Sequence, residues 1–501
     1  MSFIENLALG ASVSFSFFNL GYCLFGVTLG TLVGVLPGIG PVATMSVLLP
    51  ITYGLPPVTA LIMLAGIYYG AQYGGSTSAI LLKMPGEVSS VMTALDGHAM
   101  ALQGKAGTAL TVSAVGSFFG GTVATLFLAM AAPQISKAAM EIASPEYFCL
   151  LVLGFVASIV LARGSLIKAL GTAALGLLIG LAGTDINSGV IRFAFGVPEL
   201  IDGVNFAIVA IGIFGLGEII SNLEQKVDER PKNAQIGSMR MSWAEAFTAA
   251  KASVRGTLVG SALGVLPGGG PALGAFSSYV LEKKIAKDPS RFGRGAIEGV
   301  ASAESANNAA AQTAFIPLLT LGIPSTSVMA VMAGGMMIHG ITPGPNVMFV
   351  RPDLVWGLIV SMWAGNVMLL ILNLPMIGIW VKLLAVPYRL LFPAILLFCS
   401  VGVLTLNGST TELYLMAGFG VFGYLLSKVG CEPAPLMLAI VLGGAFEENF
   451  RRSMLLSRGS LEIFLTRPIC IVFLLMALAL TVLTLAPLFK RTRKTVFVEG
   501  Q

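Results

Sequence analysis

The chain of 501 residues is 56% hydrophobic and only 11% charged, with a formal net charge of +5. An average soluble domain carries roughly 25% charged residues, so this composition excludes a soluble globular protein and describes a polytopic membrane protein. The basic residues form no patch interleaved with aromatics, which argues against nucleic acid and makes them topology markers.

In chain order, the N-terminal MSFIENLALG has one acid and no base. It lacks the positive segment of a cleavable signal and is expected to be retained. Apolar stretches long enough to cross hydrocarbon are clearest at 57–82, 106–132, 145–162, 165–183, 203–221 and 468–489. The short alternating strands of a barrel are absent, so the expected fold is all-α, with about 11 spans plus two re-entrant hairpins.

The hairpins are expected at two Pro-Gly breaks. GVLPGIGP (34–41) interrupts an apolar run and returns as GVLPGGGP (264–271). Without a gap, Gly26, Gly30, Gly34, Pro37, Gly38, Gly40 and Pro41 align on Gly256, Gly260, Gly264, Pro267, Gly268, Gly270 and Pro271. The chain therefore divides into a first membrane repeat (1–222), a polar cytoplasmic linker (223–254) and a second repeat (255–501) with an extra C-terminal span. A looser second block pairs YGGSTSAILLKMPGE (73–87) with NNAAAQTAFIPLLTLGIPST (307–326). Each is a small polar cluster, an apolar run and a second break.

Basic residues set the orientation of the repeats. No Lys or Arg precedes Lys83, whereas the second break follows Lys226, Arg230, Lys232, Arg240, Lys251 and Arg255 and precedes Lys283, Lys284, Lys287, Arg291 and Arg294. The second hairpin is thus expected to open on the cytoplasm and the first on the opposite face, which makes the repeats inverted. The tail KRTRK (490–494) lies inside on this reading; Arg467, across the last span, runs against it.

Non-helical backbone at membrane depth survives only where it is buried in protein or lines a cavity, and paired breaks in inverted halves point to a transporter's binding site. Half-helix N-termini suit a carboxylate, and freed carbonyls suit sodium. Gly26, Gly30 and Gly34 also fit close helix packing, whereas two prolines four apart cannot sit in an unbroken helix. Pro37, Gly38, Gly40, Gly268 and Gly270 are therefore expected at the substrate, with the hydroxyls of Ser76, Thr77 and Ser78, the amides of Asn307 and Asn308, and Ser325 and Thr326. Glu304, Asn307 and Asn308 are expected to couple an ion. Any single hydroxyl here has a local alternative, a bond to its own helix backbone. Lys83, Glu87 and Asp96 are placed at the mouth of the first break.

Other signals lead nowhere catalytic. GIGPVA (38–43) fits a dinucleotide fingerprint but follows no strand. His98 and His339 are the only histidines and are far apart, and the five cysteines, Cys23, Cys149, Cys399, Cys431 and Cys470, have no ligand spacing and read as small buried hydrophobes. No metal site, cofactor or enzyme is implied. EENFRRSMLLSRGS (447–460) reads as an interfacial segment with i,i+4 ion pairs, or as a gate or subunit contact.

GVLPGIGP, YYGAQYGGSTSAILLKMPGE, GVLPGGGP and ESANNAAAQTAFIPLLTLGIPST resemble the large membrane subunit of the bacterial tripartite tricarboxylate transporters. The likeness covers nearly the whole chain, including RRSMLLSRGS and RPI; Pro324-Ser325 stands where a Pro-Gly is expected. The resemblance implies a multi-pass symporter of the bacterial inner membrane that imports carboxylates such as citrate. It implies a small membrane subunit and a periplasmic solute-binding protein as partners, and an ion gradient, sodium or else protons, as the driving force. A channel with the broken segments as its filter is the alternative.

Overall fold

The structure is a computed structural model that describes residues 2–36, 40–162, 165–185, 188–224, 236–266, 269–383 and 388–485. These residues are almost entirely helical. The first ten helices are α1 (Phe3–Ser14), α2 (Phe17–Val35), α3 (Pro41–Thr52), α4 (Pro57–Leu82), α5 (Val91–Met100), α6 (Ala106–Ala139), α7 (Ser144–Leu161), α8 (Leu166–Gly180), α9 (Phe206–Ala210) and α10 (Gly217–Glu224). A π-helical stretch, Ile211–Leu216, joins the last two. Before α9, β1 (Gly183–Thr184) and β2 (Ile191–Arg192) form a two-stranded antiparallel ladder. The next seven helices are α11 (Trp243–Gly264), α12 (Gly270–Ile285), α13 (Ile297–Thr313), α14 (Phe315–Leu321), α15 (Ser327–Ile338), α16 (Val347–Val350) and α17 (Pro352–Asn373). The chain continues through α18 (Ile377–Leu383), α19 (Tyr388–Asn407), α20 (Thr410–Lys428), α21 (Ala434–Leu456), α22 (Ile463–Thr466) and α23 (Pro468–Leu485).

Helix starts follow local chemistry. Ser2 with Glu5 and Ser242 with Glu245 form reciprocal capping boxes that begin α1 and α11, and proline opens α3, α4 and α17. The box at Ser242 starts α11 inside the polar stretch 223–254. Just before it, the backbone of Ile236, Met239 and Arg240 accepts bonds from Gly107, Thr111 and Thr108, which lays this segment along the start of α6.

Among the described residues helices occupy most of each apolar stretch expected from the sequence, with α7 (Ser144–Leu161) in 145–162 and α8 (Leu166–Gly180) in 165–183, whose last residue belongs to β1. Three helical runs, Phe17–Val35, Val88–Ala139 and Pro352–Asn373, are long and apolar enough to cross a membrane, and seven shorter apolar helices accompany them among the described residues. One expectation changes in kind. Every residue of α4 from Thr59 to Leu82 is buried, so the stretch 57–82 faces protein on all sides and not lipid. Helix α13 is buried along its whole length as well, which lets both helices carry polar side chains.

What allows this burial is backbone contact. On α2, a Cβ added to Gly26, Gly30 or Gly34 would land on the carbonyl oxygen of Met63, Ile67 or Ala71 of α4. From the α4 side, Gly70 and Gly74 meet the carbonyls of Val27 and Thr31 in the same way. The arrangement recurs where α11 meets α13: Gly256, Gly260 and Gly264 face the carbonyls of Ser302, Ala306 and Ala310. Side-chain-free stripes of this kind let helices approach where hydrophobic sorting provides no drive. Helix α6 packs on both α4 and α13 and ties the two pairs together.

The ends of the buried helices also correspond. Helix α4 ends at Lys83 (φ 57) and α14 at Gly322 (φ 69), both left-handed, each two residues before a proline, Pro85 or Pro324. After the first end, the chain folds back so that the N–H of Gly86 donates to Gly75 at 3.4 Å and its Cα lies against the Gly34 carbonyl. The tail of α4 therefore meets the break after α2.

Substituting Gly30→Val or Gly260→Val is expected to cost about 1–3 kcal/mol by overpacking. Thermal melting in detergent checks this against Gly21→Ala on the same α2, where nothing lies within 4 Å and no loss is expected.

Candidate transport site

Helix α2 gives way at Leu36 to extended backbone (φ −85, ψ 107), and the chain becomes helical again at Pro41, with Gly40 as N-cap and no side chain capping it. Pro37 and Gly38 lie outside the described residues, as does Gly268. The Gly40 N–H donates to the carboxylate of Glu218 on α10, and Glu87 Oε1 lies 3.9 Å from the place a Cβ on Gly40 would take. At the second break, Gly269 is the uncapped N-cap of α12. Gly270 has φ +60, and the Thr326 methyl lies 2.7 Å from its Cβ position, so only glycine is comfortable there. Tyr68 on α4 lies with its ring 6.2 Å from Phe315 on α14, and its buried hydroxyl has no hydrogen-bond partner among the described residues.

Between the two glycine-packed pairs sits Glu304 of α13, fully buried. Its Oε1 accepts hydrogen bonds from Ser76 Oγ of α4 at 2.6 Å and from Thr93 Oγ1 of α5. Its Oε2 accepts from Ser117 Oγ of α6 at 3.0 Å, and Ser113 adds a fourth hydroxyl. One carboxylate from the second half thus gathers hydroxyls from three helices of the first. No Lys, Arg or His pairs with Glu304 among the described residues.

The amides lie one turn on. Asn308 Nδ2 donates to the backbone carbonyl of Glu304 at 3.2 Å, which leaves its Oδ1 buried and unpartnered. Neither Nδ2 nor Oδ1 of Asn307 has a partner, and Gln312 Oε1 is in the same condition. All three side chains are essentially inaccessible, at 0%, 1% and 1% exposure. Buried polar atoms are satisfied in the great majority of cases, so three neighbouring amides with free valences are the strongest mark of a ligand site in this fold.

The other expected residues divide by where their hydrogen bonds go. Ser76 bonds Glu304 at 2.6 Å and Gln72 O of its own helix at 3.2 Å, whereas Ser78 bonds only its own helix, at Gly75 O, 3.1 Å. Ser325 reaches Ala314 O at 3.4 Å, and Thr326 caps α15 by accepting from Met329 N at 3.2 Å. Thr77 is buried beside them. Neither Asn307 nor Asn308 hydrogen-bonds the Glu304 carboxylate, whose partners are hydroxyls.

Asp96 is not at the mouth of a break. It is fully buried; its Oδ1 accepts from the N–H groups of Gly293, Gly295 and Ala296 at 2.8 Å each, and its Oδ2 from the Tyr279 hydroxyl at 2.7 Å. It clasps α5 to the loop that starts α13. In the charged segment, Glu447 and Arg451 form the expected i,i+4 pair at 2.6 Å. They also anchor the β ladder, since Arg192 binds both oxygens of Glu447 at 2.8 and 3.0 Å and Arg451 both oxygens of Asp185 at 3.2 and 2.9 Å.

Sequence reasoning missed Thr93, Ser113, Ser117, Gln312, Tyr68 and Glu218. The one available signal was intramembrane polarity: Glu218 is an acid inside an apolar stretch, and such a residue is functional by default.

Residues 20–438 match the family model of the tripartite tricarboxylate transporter TctA family, through both Pro-Gly breaks and both polar clusters. The chain belongs to this family. Family membership makes it a component of a tripartite transporter, with a binding protein and a small membrane subunit as the implied partners. The chain is 52% identical over 499 residues to an "Uncharacterized 52.8 kDa protein in TAR-I ttuC' 3'region" of Agrobacterium vitis, covering 100% of this chain and 99% of that one. It is also 55% identical over 240 residues to an "Uncharacterized protein in TAR-II ttuC' 3'region" of the same organism, covering 48% of this chain and 99% of the relative. No solved structure matches.

Because removing Asp96 takes the acceptor from four donors, of which the Ala296 N–H and the Tyr279 hydroxyl are buried, Asp96→Ala in this TctA-family protein is expected to cost about 3 kcal/mol. The melting temperature in detergent checks it, with Asp288→Ala in an exposed turn expected to change little.

Proposed function

We propose that the protein is the large membrane subunit of an ion-coupled secondary transporter in the bacterial inner membrane. On this reading it imports citrate or a related di- or tricarboxylate delivered by a periplasmic binding protein. The observation that carries the reading is the Asn307–Asn308–Gln312 cluster. Of its unpartnered atoms, Asn307 Nδ2 is a donor for which a bound carboxylate would supply the acceptor, and the oxygens of Asn307, Asn308 and Gln312 are acceptors that a hydroxyl or acid proton of the substrate would fill. The helix N-termini that begin at Gly40 and Gly269, neither capped by a side chain, add a partial positive charge that favours an anion.

The two halves are inverted repeats in this proposal, 1–222 and 255–501, joined by the cytoplasmic segment 223–254. Each contributes one re-entrant broken hairpin, and about 11 spans surround them. The distribution of Lys and Arg supports the orientation. Alternating access follows if the glycine-packed pair of one half rocks against that of the other, opening the amide cluster to each face in turn. The π-helical stretch at Ile211–Leu216 beside Glu218 is the kind of local irregularity often found at such moving sites.

Vesicles holding this chain and the small membrane subunit, supplied with the binding protein and labelled citrate, test the proposal. Saturable uptake that requires the binding protein and one imposed ion gradient is expected. Ion flux that does not saturate and proceeds without substrate would overturn it in favour of a channel.

A further inference from the structure

We infer that the amide cluster of α13 selects carboxylates that also carry an alcohol, with Asn308 and Gln312 as the specificity-determining residues that accept the hydroxyl proton. The inference rests on the carrier reading and specifies the chemistry of its substrate.

The balance of free valences leads to this class. Asn307 Nδ2 is an unpartnered donor, but Asn307 Oδ1, Asn308 Oδ1 and Gln312 Oε1 are unpartnered acceptors, so buried oxygens outnumber the buried N–H group. The orientation of Asn308 is fixed by its neighbour. The Glu304 carbonyl can only accept, so the NH2 end of Asn308 turns to it at 3.2 Å and the oxygen is the end left over. Asn308 and Gln312 stand four positions apart on α13, in one stripe with Cβ atoms about 5–6 Å apart, and Asn307 lies beside that stripe.

An ionised carboxylate is acceptor-only. It can take the N–H of Asn307, but toward the three oxygens it sets lone pair against lone pair and leaves each of them unfilled, at about 1–3 kcal/mol for a buried group. An alcohol on the same molecule reverses this. Its O–H donates to an amide oxygen of the Asn308–Gln312 stripe while the carboxylate beside it accepts from Asn307 Nδ2. Well above the carboxyl pKa no acid proton remains to serve instead, so the alcohol is the donor the site requires. A molecule with its hydroxyl on the carbon bearing a carboxylate, or on the next one, presents both groups to a single helix turn.

Melting of the purified full chain in detergent at pH 8, titrated with matched carboxylates, reads binding without the selectivity of the binding protein. The pairs are citrate against tricarballylate, which is citrate without its hydroxyl, and malate against succinate. The hydroxylated member of each pair should half-saturate the rise in Tm at a concentration about 10- to 100-fold lower. Asn308→Leu and Gln312→Met, which keep the volume and remove the acceptor, should bring the two members of each pair together by weakening the hydroxylated one. Thr125→Val, whose hydroxyl bonds its own helix at Gly121 O, should keep the wild-type ratio. Equal midpoints in the wild type, no rise with any of the four, or a ratio that survives in both α13 variants would overturn the inference. So would variants that change the sodium dependence of both members alike and leave the ratio intact, which would give the oxygens to a cation. Citrate uptake by the assembled system separates the two readings: uptake with equal midpoints removes the selectivity and keeps the carrier, and a hydroxyl preference in binding without uptake keeps the selectivity and removes the carrier.

Discussion

Two helices in lipid gain nothing from hiding apolar side chains, because lipid is as apolar as they are, so what brings them together must be close contact itself. In this protein that contact is backbone on backbone. The stripes Gly26, Gly30, Gly34 and Gly256, Gly260, Gly264 bring α2 and α11 against the carbonyls of α4 and α13, nearer than any side chain permits. The site depends on this constraint. Because α4 and α13 are enclosed by such contacts, they can carry Ser76, Glu304, Asn307 and Asn308 at depth without exposing them to hydrocarbon.

Enclosure then sorts the polar groups by what satisfies them. Ser78, Ser325 and Thr326 find backbone partners nearby and serve the helices that hold them. Asp96 finds four donors and serves as a clasp. Glu304 finds hydroxyls and no positive charge, while the Asn307 amide finds nothing. Those two conditions, a buried acid without a basic partner and an unfilled amide, lie one turn apart on a single helix.

The repeat of glycines and prolines was legible in the sequence because it is a local pattern: a proline ends a helix whatever surrounds it. The sequence also offered close packing as a reading of Gly26, Gly30 and Gly34, and the carbonyls of Met63, Ile67 and Ala71 bear it out. Asn307, Asn308 and Glu304 stood out as amides and an acid in an apolar setting. The hydroxyl partners did not. Thr93, Ser113 and Ser117 sit among alanines and glycines in VMTALDGHAM and TVSAVGSFFGG, where a small hydroxyl looks like one more packing residue, and only the tertiary fold turns them toward α13. Asp96 was misplaced for the same reason, since its partners are backbone N–H groups some two hundred positions away and have no sequence signature. Pro37, Gly38 and Gly268 lie outside the described residues, so the breaks are known from their helical edges.

The central claim is that the unfilled amide cluster of α13 holds the transported carboxylate. The most direct measurement is the concentration dependence of citrate uptake by Asn307→Ala in the assembled tripartite system. Loss of hydrogen bonds to a charged substrate should lower kcat/KM by about 10- to 100-fold with the protein still folded and inserted. Uptake kinetics equal to wild type would contradict the account and move the substrate away from α13.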